Sequence, residues 1–324
     1  MAEQLPQHRL ILPYFEDNWQ PDDMFSLRKI GATTVVFCIT EEDITTGSRE
    51  RQMCATIDAA HQAGLETQAD LWGVANTFGG EAPSKLAPAD SCPDNPKFQR
   101  LIQDGIAVAA DSGVETMFWD EPHLKHCSCH GGKEVAFIES VAATTSHYGL
   151  RNSVCFTSSE KKGNLQKLDV LAANPHIDSI GTDPYYMFNF PGEHNGDTPE
   201  HYVGGNAAVI KNIASRHGKR GHIWAQGFGI PFIDIKTGES IADWHQRALQ
   251  QQWAEVPLMQ AEAAVNAGVT DIGVWASRDW NCASALELKI QPPFPEKVWA
   301  NIGRIAQLLV ANTEPAKALA LRRP

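Results

Sequence analysis

Short, nearly continuous apolar runs alternate along this chain with longer amphipathic stretches. The short runs are RLILPYFED (9–17), TTVVFCITEED (33–43), ETQADLWGV (66–74), VETMFWDEP (114–122), NSVCFTSS (152–159), IDSIGTDPYY (177–186), GHIWAQGFG (221–229) and DIGVWASRDW (271–280). Runs of this kind suit strands buried on both faces. The stretches between them predict helices over 22–31, 49–64, 95–112, 132–149, 164–174, 199–218 and 243–268, with a last one over 295–311. Several close on glycine, as in KIGA, HQAGL, ADSGV, HYGL and VNAGV, where a helix C-cap favours it. Eight strand–helix units in one chain predict a (β/α)8 TIM barrel. A doubly wound sheet competes, but no Gly-rich phosphate turn follows the first strand. No linker divides the chain, so residues 1–311 are expected to form one barrel domain, and NTEPAKALALRRP (312–324) a loosely attached tail.

Composition adds little to that picture but narrows the function. The 324 residues are 43% hydrophobic and 20% charged, ordinary for a globular chain with a sizeable core. The net charge of -12 is spread along the sequence, which fits solubility and disfavours a nucleic-acid partner. No segment reaches the roughly 18 apolar residues of a membrane span, and the first fifteen residues do not read as a signal peptide. With seven cysteines scattered over the chain, a disulfide framework is not expected and a reducing cytoplasm is. Nothing in the pattern indicates an oligomeric state.

In such barrels chemistry sits at the C-terminal ends of the strands. The polar and aromatic residues expected there are Asp17 and Trp19 after strand one, Glu41 after strand two, Asp70 and Trp72 on strand three, and Asp120, Glu121 and His123 after strand four. Thr157 follows on strand five, Asp183 and Tyr185 on strand six, Trp224 and Gln226 on strand seven, and Trp275, Arg278, Asp279 and Trp280 on strand eight. Carboxylates mixed with tryptophans point to a carbohydrate substrate, whose apolar ring faces stack on indole and whose hydroxyls bond to carboxylates. Asp120–Glu121 is the sharpest feature. A glycosidase needs a carboxylic acid to protonate the leaving oxygen, and an apolar wall such as Trp119 would raise a carboxyl for that task. Adjacent residues on a strand face opposite ways. Both can serve only if the strand has ended by Glu121, as Pro122 suggests. The competing reading is a capping or salt-bridging pair.

The motifs WDEP, DSIGTDPYY, IWAQGFG and GVWASRDW, in that order on strands four, six, seven and eight, resemble the large clan of retaining (β/α)8 glycosidases. Within it they are most similar to the branch of the zinc-cluster β-galactosidases. The resemblance implies that Glu121 is the acid/base, with Asp120 in place of the family's asparagine, and that Gln226 stands where the family carries its nucleophilic glutamate. An amide cannot form a glycosyl ester. Three readings therefore stay open: substrate assistance with an Asp120–Glu121 pair, inversion with Asp183, Asp279 or a strand-one or strand-two carboxylate activating water, or a barrel that binds sugar without cleaving it. A metal-dependent hydrolase or lyase is a further alternative. The same resemblance implies a structural zinc. Cys92 in SCPDNPKF and Cys127 and Cys129 in HCSCHGG match family ligands, Gly132 falls at the fourth position, and His130 or His126 would complete a Cys3His shell. Uncoordinated thiols, or a disulfide from Cys92, are the alternatives. No cofactor is expected for the chemistry itself.

Overall fold

The computed structural model describes residues 7–14, 19–71, 92–120, 122, 134–157, 162–185, 198–227, 255–275 and 294–313. In chain order they form β1 (Arg9–Tyr14), α1 (Pro21–Ile30), β2 (Thr34–Cys38), α2 (Glu41–Thr46), α3 (Glu50–Gln62), β3 (Glu66–Asp70), α4 (Pro96–Asp111), β4 (Thr116–Asp120) and α5 (Glu134–His147). They continue with β5 (Arg151–Thr157), α6 (Lys162–Ala173), β6 (Ser179–Asp183), α7 (Pro199–His217), β7 (Arg220–Gln226), α8 (Val256–Asn266), β8 (Asp271–Trp275) and α9 (Phe294–Thr313). Every strand pairs in parallel with its sequence neighbours, and β8 pairs with β1, so the sheet is a closed (β/α)8 barrel. The expected strands and helices are present among the described residues, the helix expected over 243–268 being described over Val256–Asn266, with 243–254 outside the described residues. The helix α2 was not expected.

Local chemistry sets the boundaries. Proline opens α1, α4 and α7, where a missing N–H is harmless, and Asn95 and Thr198 accept backbone N–H bonds as N-caps of the last two. Gly31 ends α1 at φ 105°, and a Cβ there would lie 2.3 Å from that of Ala306 on α9. Glycine thus supplies both the left-handed turn and the close approach that brings the last helix against the first.

The strands carry two different cores. Outward residues such as Leu10, Leu12, Val35, Phe37, Ala69, Met117, Val154, Ile180, Ile223 and Val274 pack under the helices. Inside the barrel, Ile11, Val36, Phe118, Cys155 and Trp224 form a separate apolar layer, with Tyr185 and Trp275 against it. Below that layer the interior is polar. Ser179 Oγ lies 2.9 Å from His222 Nδ1, and burial, then Arg9 and Arg220, lowers the His222 pKa to about 3, so its ring is neutral. At the N-terminal end, the first residues of five strands close the barrel with charge: Glu66 lies 2.7 Å from Arg9 and 2.6 Å from Arg151, while Arg220 is bidentate to Asp271. Such buried charges are tolerable only because each is paired.

Large interior rings need facing gaps. A Cβ on Gly181 would sit 2.1 Å from the His222 ring, and one on Gly273 2.4 Å from that of Trp224. We therefore expect Gly181→Ala to cost about 1–3 kcal/mol in urea unfolding through overpacking. The loss should shrink when the same substitution is made in a His222→Ala background.

Candidate active site

The C-terminal end of the barrel is the opposite of the plugged end. Three aspartates there close three strands on the inward face: Asp70 on β3, Asp120 on β4 and Asp183 on β6. Asp70 pairs in register with Phe118, two residues before Asp120, so the two carboxyls are diagonal neighbours on adjacent strands. Asp70 is 1% exposed and Asp183 5%, while Asp120 is half-buried. Burial, and after it the charge of Asp120, pushes the Asp70 carboxyl well above the usual carboxylate range. Burial, and then Asp183, does the same for Asp120. A carboxyl raised in this way keeps its proton to higher pH than an ordinary carboxylate and is better placed to donate it.

Around them the strand ends are fixed from outside. Gln226 ends β7 beyond the point where its ladder with β6 stops, and its N–H donates instead to Gln260 Oε1 of α8 at 2.6 Å. Asn164 of α6 donates to the Thr157 carbonyl and hydroxyl at 3.1 Å each, holding the end of β5. Tyr185 N–H bonds back to the Asp183 carbonyl at 2.7 Å, which keeps the half-buried tyrosine just past the strand end, against the apolar floor. Trp275 ends β8 and meets Trp224 edge-on, ring centroids 5.5 Å apart.

The expected site residues divide accordingly. Asp120, Asp183, Tyr185, Gln226 and Trp275 stand at the barrel mouth. Trp224 was expected as a sugar platform; at 1% exposure, under Gln226 and against Phe118, it is a floor residue. Trp19 is likewise interior, stacked on Phe37 at 4.8 Å, with Arg49 over its ring. Glu41 does not end β2. It opens α2, which Thr40 caps and whose Asp43 is held by Arg49. Burial would raise the Asp43 carboxyl, but its bonds to Arg49 and Thr40 outweigh that and bring it below the usual value. Trp119 cannot wall the carboxyls, because it faces the helices and donates to Asn152 Oδ1 at 2.8 Å. Asp17, Trp72, Glu121, His123, Arg278, Asp279 and Trp280 lie outside the described residues.

The sequence places Asp70 among the polar strand ends but gives it no catalytic or binding role. Its signal was present: Glu66, Gln68 and Asp70 are polar at every second position of β3, and so mark one inward face. Of the expected zinc ligands, Cys92 is half-buried just ahead of α4, while Cys127, Cys129 and His130 fall outside the described residues. Among the described residues no three His, Cys, Asp or Glu side chains converge as a metal shell. No described helix is long and apolar enough to cross a membrane. A second concavity of about 380 Å³ lies between α4 and α5, but Asp94 is the one ionisable group in its lining. Chemistry therefore points to the mouth.

No family model matches the chain, and no curated protein matches its sequence. Solved structures match its fold. The exo-β-1,4-mannosidase Op5Man5 from Opitutaceae bacterium strain TAV5 aligns with a TM-score of 0.62 at 13% identity, over 95% of this chain and 60% of that one. The chain thus spans less than two thirds of that mannosidase. The catalytic domain of a GH26 endo-β-1,4-mannanase from Bacillus sp. JAMB-750 aligns at 0.58 and 8% identity, over 93% and 86%. A fungal β-1,4-galactanase aligns at 0.52 and 11% identity, over 90% and 99%. Aldolase barrels are also among the matches. At these identities the likeness is one of fold.

If Asp120 is what adds to the effect of burial on Asp70, Asp120→Asn will move the Asp70 titration to lower pH. Carbon NMR of the aspartate carboxyls through a pH series would read that shift directly.

Proposed function

We propose that this chain is a glycoside hydrolase acting on a small oligosaccharide or glycoside at the mouth of the barrel. The observation that carries the reading is the group of three inward aspartates, Asp70, Asp120 and Asp183, beside Tyr185 and Trp275. Sugar hydrolysis needs carboxyl groups in different protonation states around one bond, with a surface on which a sugar face can rest. The fold-level match to mannan- and galactan-cleaving barrels supports the same reading by analogy.

In this proposal Glu121 protonates the leaving oxygen, and Asp120 orients the substrate beside it. The raised Asp120 carboxyl makes it the second choice for the donor. Gln226, at the end of β7, cannot act as a nucleophile, so water attacks in a single inverting step with Asp183 as base, or a substrate acetamido group attacks and Asp120 steadies it. In the first route Asp183 takes a proton from water, the new C–O bond forms as the glycosidic bond breaks, and the acid's proton goes to the leaving alcohol. Asp17, Glu41, Trp72, His123, Arg278, Asp279 and Trp280 complete the sugar contacts as proposals from sequence alone. A structural zinc on Cys92, Cys127, Cys129 and His130 would tie the covering loop and take no part in the chemistry. Elemental analysis should then find about one zinc per chain, and none in Cys127→Ser.

Gln226 also favours a second reading, a barrel that binds carbohydrate without cleaving it. One assay separates the two. Glu121→Gln and Asp120→Asn would be compared on glycosides with alkyl and with dinitrophenyl leaving groups. Loss of the acid should lower turnover of the alkyl glycoside by about 10²–10⁴-fold and spare the dinitrophenyl one, whose leaving group needs no proton. Wild-type protein that binds sugars but turns over neither substrate would instead be a binding barrel.

A further inference from the structure

Asp70 ends β3 with its side chain buried on the inward face of the barrel. Elsewhere in the barrel, buried carboxylates are bonded to arginine: Asp271 to Arg220, and Asp43 to Arg49. Asp70 Oδ2 is buried with no hydrogen-bond partner among the described residues. Help does not come from below. Gln68, the next inward residue on β3, has both amide atoms without partners as well, and beneath the mouth lie Ile11, Phe118 and Trp224. Nor does it come from the sides. Among the described residues the titratable groups facing Asp70 are Asp120 on β4, which repels it, and Cys38 on β2, paired with it in register. The packing of this stretch is done by Ala69 and Leu71, which point the other way. A buried oxygen left in this state weakens a fold unless something supplies the missing bond. The remaining direction is the C-terminal mouth of the barrel.

We propose that Asp70 anchors the substrate, its buried carboxyl meeting a hydrogen-bond donor of the bound sugar. This rests on the carbohydrate reading above and deepens it. The donor is a hydroxyl or the ammonium of an amino sugar.

Two measurements on Asp70→Asn test this. The first is urea unfolding against pH. A carboxyl raised by folding binds its proton more tightly in the native state, so its penalty is absent below the unfolded pKa and complete above the folded one. Asp70→Asn should therefore gain stability over wild type as pH rises above the ordinary carboxylate range, until the folded carboxyl has also lost its proton. The second is calorimetric titration with β-1,4-mannobiose, β-1,4-galactobiose and the β-1,4-linked disaccharide of glucosamine. Binding should weaken by roughly tenfold or more in the variant. Preference for the glucosamine sugar, lost as its amine is deprotonated, would assign the ammonium; indifference to it would assign a hydroxyl. Asp70→Ala, which carries no amide donor, should repeat both results. Equal sugar binding by wild type and variants overturns the anchor role alone. Wild type that binds none of the three sugars overturns the carbohydrate reading and the anchor together. A variant that loses stability at every pH makes Asp70 a structural residue and overturns the proposal.

Discussion

A charge inside a closed barrel must find its counter-charge there, and this barrel meets that constraint at its N-terminal end. Arg9, Arg151 and Arg220 rise from the first residues of three strands to meet Glu66 and Asp271 on two others. With several kcal/mol of desolvation at stake for each buried ion, the network holds only as a set. Its cationic side also reaches inward: together with burial, it keeps His222 neutral. The aspartates at the other end have no such arrangement built around Asp70. The contrast between a compensated end and an acidic one gives the barrel its polarity, and the apolar layer of Phe118, Trp224 and Ile11 keeps the two apart.

Element order was legible because its signals are local. Proline at a helix start, glycine at a helix end and a short apolar run each constrain only a few residues, and tertiary packing had no reason to override them. Facing was harder to read. A strand buried on both sides shows no alternation of polar and apolar residues, so which tryptophan looks inward depends on a phase that the sequence barely marks. Trp119 and Trp224 illustrate the error in opposite senses. One lies behind the sheet and the other beneath the mouth, although both stand within two residues of a strand end.

Asp70 was given no role for a related reason. In ETQAD the inward positions are all polar, but Thr67 between them is polar too, and a single aspartate in a strand is unremarkable until its neighbours are known. What distinguishes it is the missing partner, and absence of a partner is a property of three-dimensional arrangement alone. The unexpected α2 is the milder case: its six residues carry a complete capping box in Thr40 and Asp43, a pattern readable in retrospect but too short to displace the strand-end reading of Glu41.

The ion network has one more effect, on traffic. Sealed at its base by paired charges and floored by aromatic rings, the barrel is a cup and not a tube. On the glycosidase reading, substrate and product would share the C-terminal opening, and the speed of emptying would set a ceiling on the speed of filling.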